Sequence, residues 1–257
     1  YGCNNGGKRI RPFLVNQASK IANLNEDDSF IIASSIELIH SYSLIHDDLP
    51  SMDDDDYRRG KPSTHKKFDE ATAILAGDAI HDLAFALISG NLKNKNYKSK
   101  LDLINYLSLC IGHQGLAQGQ SLDLQFENKK TSKDKILNMY KNKTGKLFEF
   151  SFSAPFILKN TNKKQILLAK KYGSLFGLIF QIIDDVIDEI GTLEKIGKTP
   201  GKDAKQGKST LLSILGKSKV EEFCKNKIDS FQRKNKRFFD NNKILLELLN
   251  FGVSRIN

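Results

Sequence analysis

The sequence predicts an all-α chain of about ten helices, because three observations agree. Apolar residues recur at helical spacing through most of the 257 residues, as in Phe30, Ile31, Ile32, Ile36, Leu38, Ile39, Leu44 and Ile45. No run alternates β-branched with polar residues. No self-similarity appears at the fixed periods of solenoid proteins. A chain of this length buries a large core, and helical domains of this size occur as single units, so one domain over residues 1–257 is expected.

The chain opens with Gly2, Gly6 and Gly7 and the cations Lys8, Arg9 and Arg11. Pro12 then suits the first turn of a helix that reaches Asn23. This start fits either a phosphate cradle or a basic turn ahead of a helix. Asp28 and Ser29 suit the cap of a second helix, which carries Glu37 and His40 and runs into an acidic stretch. Six aspartates, Asp47, Asp48 and Asp53 to Asp56, fall there within ten residues.

Like charges this close require a cation, or solvation as a loop. Three details favour the cation. A buried helix leads directly into the first pair. Pro50 disfavours helix at Leu49, which lets Asp47 and Asp53, about 240° apart on an unbroken helix, turn to one point. Arg58 and Arg59 follow at once. Carboxylate oxygens hold Mg²⁺ and guanidinium forks grip phosphate, so the pattern suits a magnesium diphosphate.

Residues 69–89, rich in alanine and leucine, read as a core helix, and the polar tract 91–100 as a surface connection. Gln118, Gly119, Gln120 and Asp123 lie in the next helix, where the polar groups either satisfy one another or line a polar cavity. A helix from Thr131 and Ser132 is interrupted at Lys143, Thr144 and Gly145. Glycine costs about 1 kcal/mol against alanine there, which points to a kink presenting Lys143 and Thr144 to a ligand, or to close helix packing. The most apolar helix, residues 165–190, ends in Gln181, Asp184, Asp185 and Asp188. Asp184 and Asp188 share a face one turn apart, a repulsion that a cation converts into binding. The lysine and glycine segment 191–210 reads as a linker or a lid over phosphate, and helical patterns continue through Phe223, Phe231, Phe238 and Leu249.

Net charge is +10, from 40 basic and 30 acidic residues. No basic stripe interleaved with aromatics and no Cys/His finger spacing accompanies it, so nucleic acid is not an expected partner. The positive balance suits attraction of anionic substrates or is compositional bias. Cys3, Cys110 and Cys224 share no short spacing, which indicates neither a disulfide framework nor a zinc site and fits a cytoplasmic setting. No apolar run approaches the ~20 residues of a membrane span.

Asp47-Asp48-x4-Asp53 and Asp184-Asp185-x2-Asp188, each ending an apolar helix, resemble the two aspartate-rich motifs of the trans-isoprenyl diphosphate synthases, the polyprenyl synthetase family. The resemblance extends in order through Gly6 to Pro12, Arg58-Arg59-Gly60, Lys143-Thr144-Gly145, Phe180-Gln181 and Gly197-Lys198, and covers essentially the whole chain, with the family's first helix missing before Tyr1. It implies a single-domain helical bundle around a deep central cavity, homodimeric. The implied reaction condenses isopentenyl diphosphate head-to-tail with an allylic diphosphate and releases diphosphate.

The resemblance also assigns roles. Asp47, Asp53 and Asp184 would ligate three Mg²⁺ ions directly, with Asp48, Asp185 and Asp188 acting directly or through water. Arg58, Lys143, Lys198 and Lys208 match positions for the allylic diphosphate, and Thr144 and Gln181 line the cation site. Lys8, Arg11, His40 and Arg59 match the isopentenyl diphosphate pocket, and Gln120 and Asp123 line the cavity and orient the neighbouring lysine. Tyr42, about 7.5 Å deeper than Asp47 along the helix by rise alone, and the small Ser43 resemble the chain-length floor of bacterial-type farnesyl synthases. Farnesyl diphosphate (C15) is the expected product. The loop 197–203 is more similar to the geranylgeranyl branch, which makes C20 the alternative. A terpene cyclase would not need a second diphosphate pocket such as Lys8, Arg11 and Arg59, and a non-catalytic subunit would tend to lose aspartates that this chain retains.

Overall fold

The structure is a computed structural model that describes residues 1–190 and 208–254. The expected all-α class holds: the described residues form ten helices of eight residues or more, three shorter ones, one π turn and a minimal hairpin. In order these are α1 (Ile10–Ala22), α2 (Glu26–Asp47), β1 (Tyr57–Arg58), β2 (Lys61–Pro62), α3 (Thr64–Lys67), α4 (Glu70–Asn91), α5 (Tyr97–Ile111), α6 (Leu116–Phe126) and α7 (Lys133–Tyr140). The π turn (Lys141–Gly145), α8 (Lys146–Leu158), α9 (Lys163–Ile190), α10 (Leu211–Leu215), α11 (Lys217–Lys234), α12 (Lys236–Asp240) and α13 (Lys243–Ser254) follow. Contacts divide the described residues into two compact units: Tyr1–Ile111 with Leu147–Gly173, and Gly112–Lys146 with 174–190 and 208–254.

In the first unit α2 is the central helix. Its buried residues, including Ile32, Ser35, Ile36, Ile39, Ser41, Ser43 and Ile45, lie on more than one face, as expected of a helix enclosed by others. Four residues of α4, Ala73, Gly77, Ala84 and Ile88, form one buried stripe at helical spacing. Small side chains there allow close approach to α2, and the Ser35 hydroxyl donates to the Ala84 carbonyl at 2.9 Å. A Cβ at Gly77 would stand 2.0 Å from His46 Nε2, so only glycine admits that imidazole.

Two sequence expectations need correction here. The cap of α2 is Asn25, whose side chain accepts from the Asp28 N–H at 2.8 Å. Asp28 is instead fully buried and accepts from the backbone N–H groups of Lys93 and Asn94, at 2.6 and 3.1 Å. Nor is α4 a core helix on all sides, since Ile74, Leu75 and Leu83 are exposed.

In the second unit, buried Ile136, Met139 and Tyr140 of α7, Ile182, Ile183 and Val186 of α9, Val220, Cys224 and Ile228 of α11, and Leu245, Leu249 and Val253 of α13 form the core. A Cβ on Gly252 of α13 would lie 2.9 Å from Ile183 Cδ1, so glycine lets these helices approach. Among the described residues α4 and α9 are long and apolar enough, by length and composition, to cross a membrane. By length and composition this corrects the expectation that no apolar run approaches a span, although ionisable residues interrupt both helices, Asp78, His81 and Asp82 in α4 and Asp184, Asp185 and Asp188 in α9.

Candidate active site

The acidic stretch of the first unit is a tight reversal at the end of α2. The N–H of Asp53 donates to the carbonyl of Asp47 at 2.8 Å, that of Asp55 to Asp48 at 3.1 Å, and that of Asp54 to Leu49 at 3.1 Å. Leu49 and Met52 pack with Ile45 and Ala73, which fastens the reversal to the core. The turn expected at Pro50 therefore does bring the Asp47 and Asp53 backbones together. Asp48, Asp53 and Asp55 are buried.

Arg58 answers part of this charge. Its Nε donates to Asp48 Oδ1 at 2.9 Å, and its Nη2 to Asp48 and, at 3.0 Å, to Asp55. Burial works against the guanidinium charge, but Asp48 first, with Asp55 and Asp47, holds its pKa above the ordinary value. Burial pushes the Asp48 carboxyl up, and Arg58 offsets this only in part because Asp55 and Asp53 add repulsion. Crowded, partly buried carboxylate oxygens of this kind fit a hard divalent ion such as Mg²⁺.

The hairpin carrying Arg58 turns at Arg59 and Gly60, both at positive φ (56° and 76°), the signature of a two-residue type I′ turn. Arg59 Nη1 donates to the Gly6 carbonyl at 2.5 Å. Gly7, at φ 111°, lies so close that a Cβ would come within 2.6 Å of the Arg59 guanidinium carbon. The glycine start of the chain thus folds around Arg59. Arg9 has a different function, pairing with Glu37 and donating to the Cys3 carbonyl at 2.8 Å. Arg11 lies over the Phe148 ring at 4.3 Å, and Lys8 is exposed.

His40 sits among these cations. Burial, then Arg11, Arg59, Arg58 and Arg9, hold its pKa well below 6.5. A histidine depressed in the folded state contributes stability above its unfolded pKa and loses it as pH falls from there towards the folded value. The unliganded protein is therefore expected to lose melting temperature below about pH 6.5. His40→Gln should flatten that part of the profile, and added inorganic diphosphate should flatten it in the unsubstituted protein. Melting curves from pH 7.5 to 5 check this.

Tyr42 lies in edge contact with His46 and His81, at 5.8 and 5.0 Å between ring centroids. Burial, and secondarily Asp47, raises its phenol pKa to about 12, so it stays protonated. Ser43 is buried and donates to the His40 carbonyl at 2.9 Å.

The second unit gathers another set of predicted residues around the π turn, a geometry frequent at functional sites. Lys143 Nζ donates to Asp123 at 2.5 Å, and Lys208 Nζ lies 3.6 Å from the same oxygen. Burial disfavours the charge on Asp123, but the two lysines prevail and lower its pKa. The Thr144 hydroxyl donates to the Gln181 carbonyl oxygen, and Gln181 Nε2 donates to Asp185 Oδ1 at 2.8 Å. On its other side Asp185 accepts from the Tyr140 hydroxyl, which itself accepts the Leu211 N–H at 2.9 Å. Asp185 and Asp188 are buried and Asp184 is exposed. The buried Gln120 amide has no hydrogen-bond partner among the described residues, so it was not placed there to satisfy its neighbours. Lys198 lies outside the described residues, as does the loop 197–203.

Sequence reasoning missed two residues. Tyr140 gave no signal, because a π insertion shifts which residues three and four apart face each other. Of the two readings of Gly145, a kink or close packing, the packing one does not hold, because a Cβ there would meet nothing nearer than 3.5 Å. The packing glycine is Gly119, where a Cβ would lie 2.0 Å from the backbone nitrogen of Lys143.

The sequence profile described as Polyprenyl synthetase matches residues 1–246. The chain belongs to the polyprenyl synthetase family. It is 44% identical over 228 residues to a farnesyl diphosphate synthase of Micrococcus luteus, covering 89% of this chain and 78% of the relative. It is 39% identical over 261 residues to a geranylgeranyl diphosphate synthase of Cyanophora paradoxa, covering 100% of this chain and 86% of the relative. Among solved structures, the geranyltransferase of Helicobacter pylori complexed with magnesium and isoprenyl diphosphate superimposes with a TM-score of 0.84 at 32% identity, over 97% of this chain and 84% of that one. The helices that carry the site in this polyprenyl synthetase are thus shared with relatives of known structure.

Proposed function

We propose that this polyprenyl synthetase, a single catalytic domain, condenses isopentenyl diphosphate with dimethylallyl or geranyl diphosphate to give farnesyl diphosphate, releasing diphosphate. The observation that carries this reading is the 44% identity to a farnesyl diphosphate synthase, in a chain that retains every aspartate of both acidic clusters. Asp47, Asp48 and Asp53, with Asp184, Asp185 and Asp188, are proposed to hold three Mg²⁺ ions. When bound, the metal neutralises the diphosphate and stabilises it as a leaving group.

The chain's own groups do the rest. Arg58, Lys143, Lys198 and Lys208 are proposed to hold the allylic diphosphate, and Lys8, Arg11, His40 and Arg59 the isopentenyl diphosphate. Asp123, which accepts from Lys143, aims that ammonium, and Gln120 lines the same region. The Thr144 and Gln181 dipoles, locked in sequence through Asp185 and Tyr140, stabilise the developing allylic cation without reorganising. The diphosphate leaving group takes the proton.

Tyr42 and Ser43 are proposed as the chain-length floor. Purified protein given isopentenyl diphosphate, Mg²⁺ and a C5 or C10 starter should stop at C15, and Tyr42→Ala should add C20 or longer products. A C20 end point in the unsubstituted protein would favour the geranylgeranyl reading, to which the 39% relative lends support. No condensation would remove the proposal, and so would hydrocarbon from the allylic substrate alone.

A cytoplasmic homodimer is proposed as the working form. Support comes from the exposed apolar residues Leu75 and Leu83 of α4 and Tyr97 and Leu101 of α5, the last two one turn apart on one face. Sedimentation at micromolar concentration tests it.

A further inference from the structure

The neck of the β1–β2 hairpin carries a cluster that the proposed reaction does not use. Asp54 and Asp56 precede β1, and His65 stands in α3 just beyond β2. The neck is closed by the Ser63 N–H, which donates to the Asp56 carbonyl at 2.9 Å. One carboxylate oxygen from each aspartate and an imidazole nitrogen lie within 4.8 Å of one another.

The aspartates are exposed, whereas His65 is only 7% exposed. Its Nδ1 meets the Ser63 hydroxyl at 3.2 Å, and its Nε2 is buried with no hydrogen-bond partner among the described residues. A buried imidazole nitrogen left this way is costly unless something binds it. With Nδ1–H donated to Ser63 Oγ, the lone pair of Nε2 is available, and a hydroxyl or carbonyl in that orienting position is the usual companion of a metal-bound histidine.

We propose that Asp54, Asp56 and His65 form a mononuclear site for a divalent transition-metal ion, separate from the carboxylates assigned to the diphosphate. The donor set decides the class of ion: an imidazole with two carboxylates suits Mn²⁺, Co²⁺ or Zn²⁺, whereas Mg²⁺ prefers oxygen ligands alone. At metal–ligand distances of about 2.1 Å, neighbouring ligand atoms stand roughly 3 to 3.4 Å apart, a contraction the exposed Asp54 and Asp56 side chains can make. Lys66 competes for Asp56. Lys66 Nζ lies 2.9 Å from Asp56 Oδ1, but both side chains are largely exposed, at 46% and 62%, and such pairs are weak. A divalent ion would tie the segment before β1 to the segment after β2, and so brace the hairpin that presents Arg58 and Arg59.

The test uses the full chain, stripped with a chelator and kept free of diphosphate. Titration with Co²⁺ is followed by visible absorption, and titration with Mn²⁺ by its free-ion resonance signal. One bound equivalent is expected, weakened at least tenfold by Asp54→Asn and by His65→Gln and unchanged by Asp47→Asn. Asp54 is exposed at φ 48°, a conformation asparagine also accepts, so that variant keeps the fold. Absence of bound ion at millimolar concentration would overturn the proposal. So would binding that survives both substitutions, or binding that disappears in Asp47→Asn.

Discussion

Gly119→Ala is expected to lower the condensation rate about 100-fold, although residue 119 is assigned no contact with substrate. The added Cβ would stand 2.0, 2.3 and 2.7 Å from the backbone N and Cα of Lys143 and the carbonyl carbon of Asn142. All three are main-chain atoms, so no side-chain rotation can relieve the clash. Helix α6 and the π turn must separate by an ångström or more, and a displacement of that size at a positioned group costs about 100-fold. Lys143 would lose its 2.5 Å bond to Asp123, which also lies on α6, and Thr144 its alignment with Gln181. Overpacking of this kind destabilises by about 1–3 kcal/mol, which leaves a folded enzyme to measure. Steady-state kinetics beside a melting curve separates the two effects. A variant with unchanged kcat would show that the position of the π turn does not matter to the reaction.

Asp47→Asn is expected to cost about 1000-fold in kcat/KM, the equivalent of roughly 4 kcal/mol of transition-state stabilisation. The substitution removes one negative charge and almost no volume. It leaves intact the 2.8 Å bond that closes the acidic turn, because that bond uses the main-chain carbonyl of residue 47. Repulsion within the cluster falls, so the melting temperature in the absence of Mg²⁺ should hold or rise while activity collapses. Loss of both together would mean that the Asp47 carboxylate supports the fold.

Much of the first unit was legible because its signals are local. The apolar period of α2, Pro50 and the paired aspartates are properties of neighbouring residues, and the reversal they imply is the one found. The π turn was only half legible. An interruption at Lys143 to Gly145 shows in the sequence, but the packing of α6 against its backbone at Gly119 does not, being a contact between distant segments. The buried role of Asp28 was hidden for the same reason, since its partners are 65 and 66 residues away. Helix α4 misled by composition: alanine and leucine look alike in a helix buried all round and in one that buries a single stripe. Asp185 stood out as part of the second acidic cluster, but its link to Tyr140 was invisible because Tyr140 is ordinary where it stands and becomes significant only when the chain brings the two together.

The pairing of Arg58 with Asp48 and Asp55 makes the acidic turn an ion exchanger. A divalent cation bound at Asp48, as proposed, would compete with the Arg58 guanidinium for the carboxylate, and a guanidinium loosened in this way would be better placed to meet an anion. With the proposed roles of Asp48 and Arg58, cation and diphosphate would be linked thermodynamically: each would raise the apparent affinity of the other by the same factor, in whichever order they arrive. Replacing Arg58 with glutamine should let the cation bind more tightly on its own and reduce that mutual enhancement, a cooperativity that calorimetry reads directly.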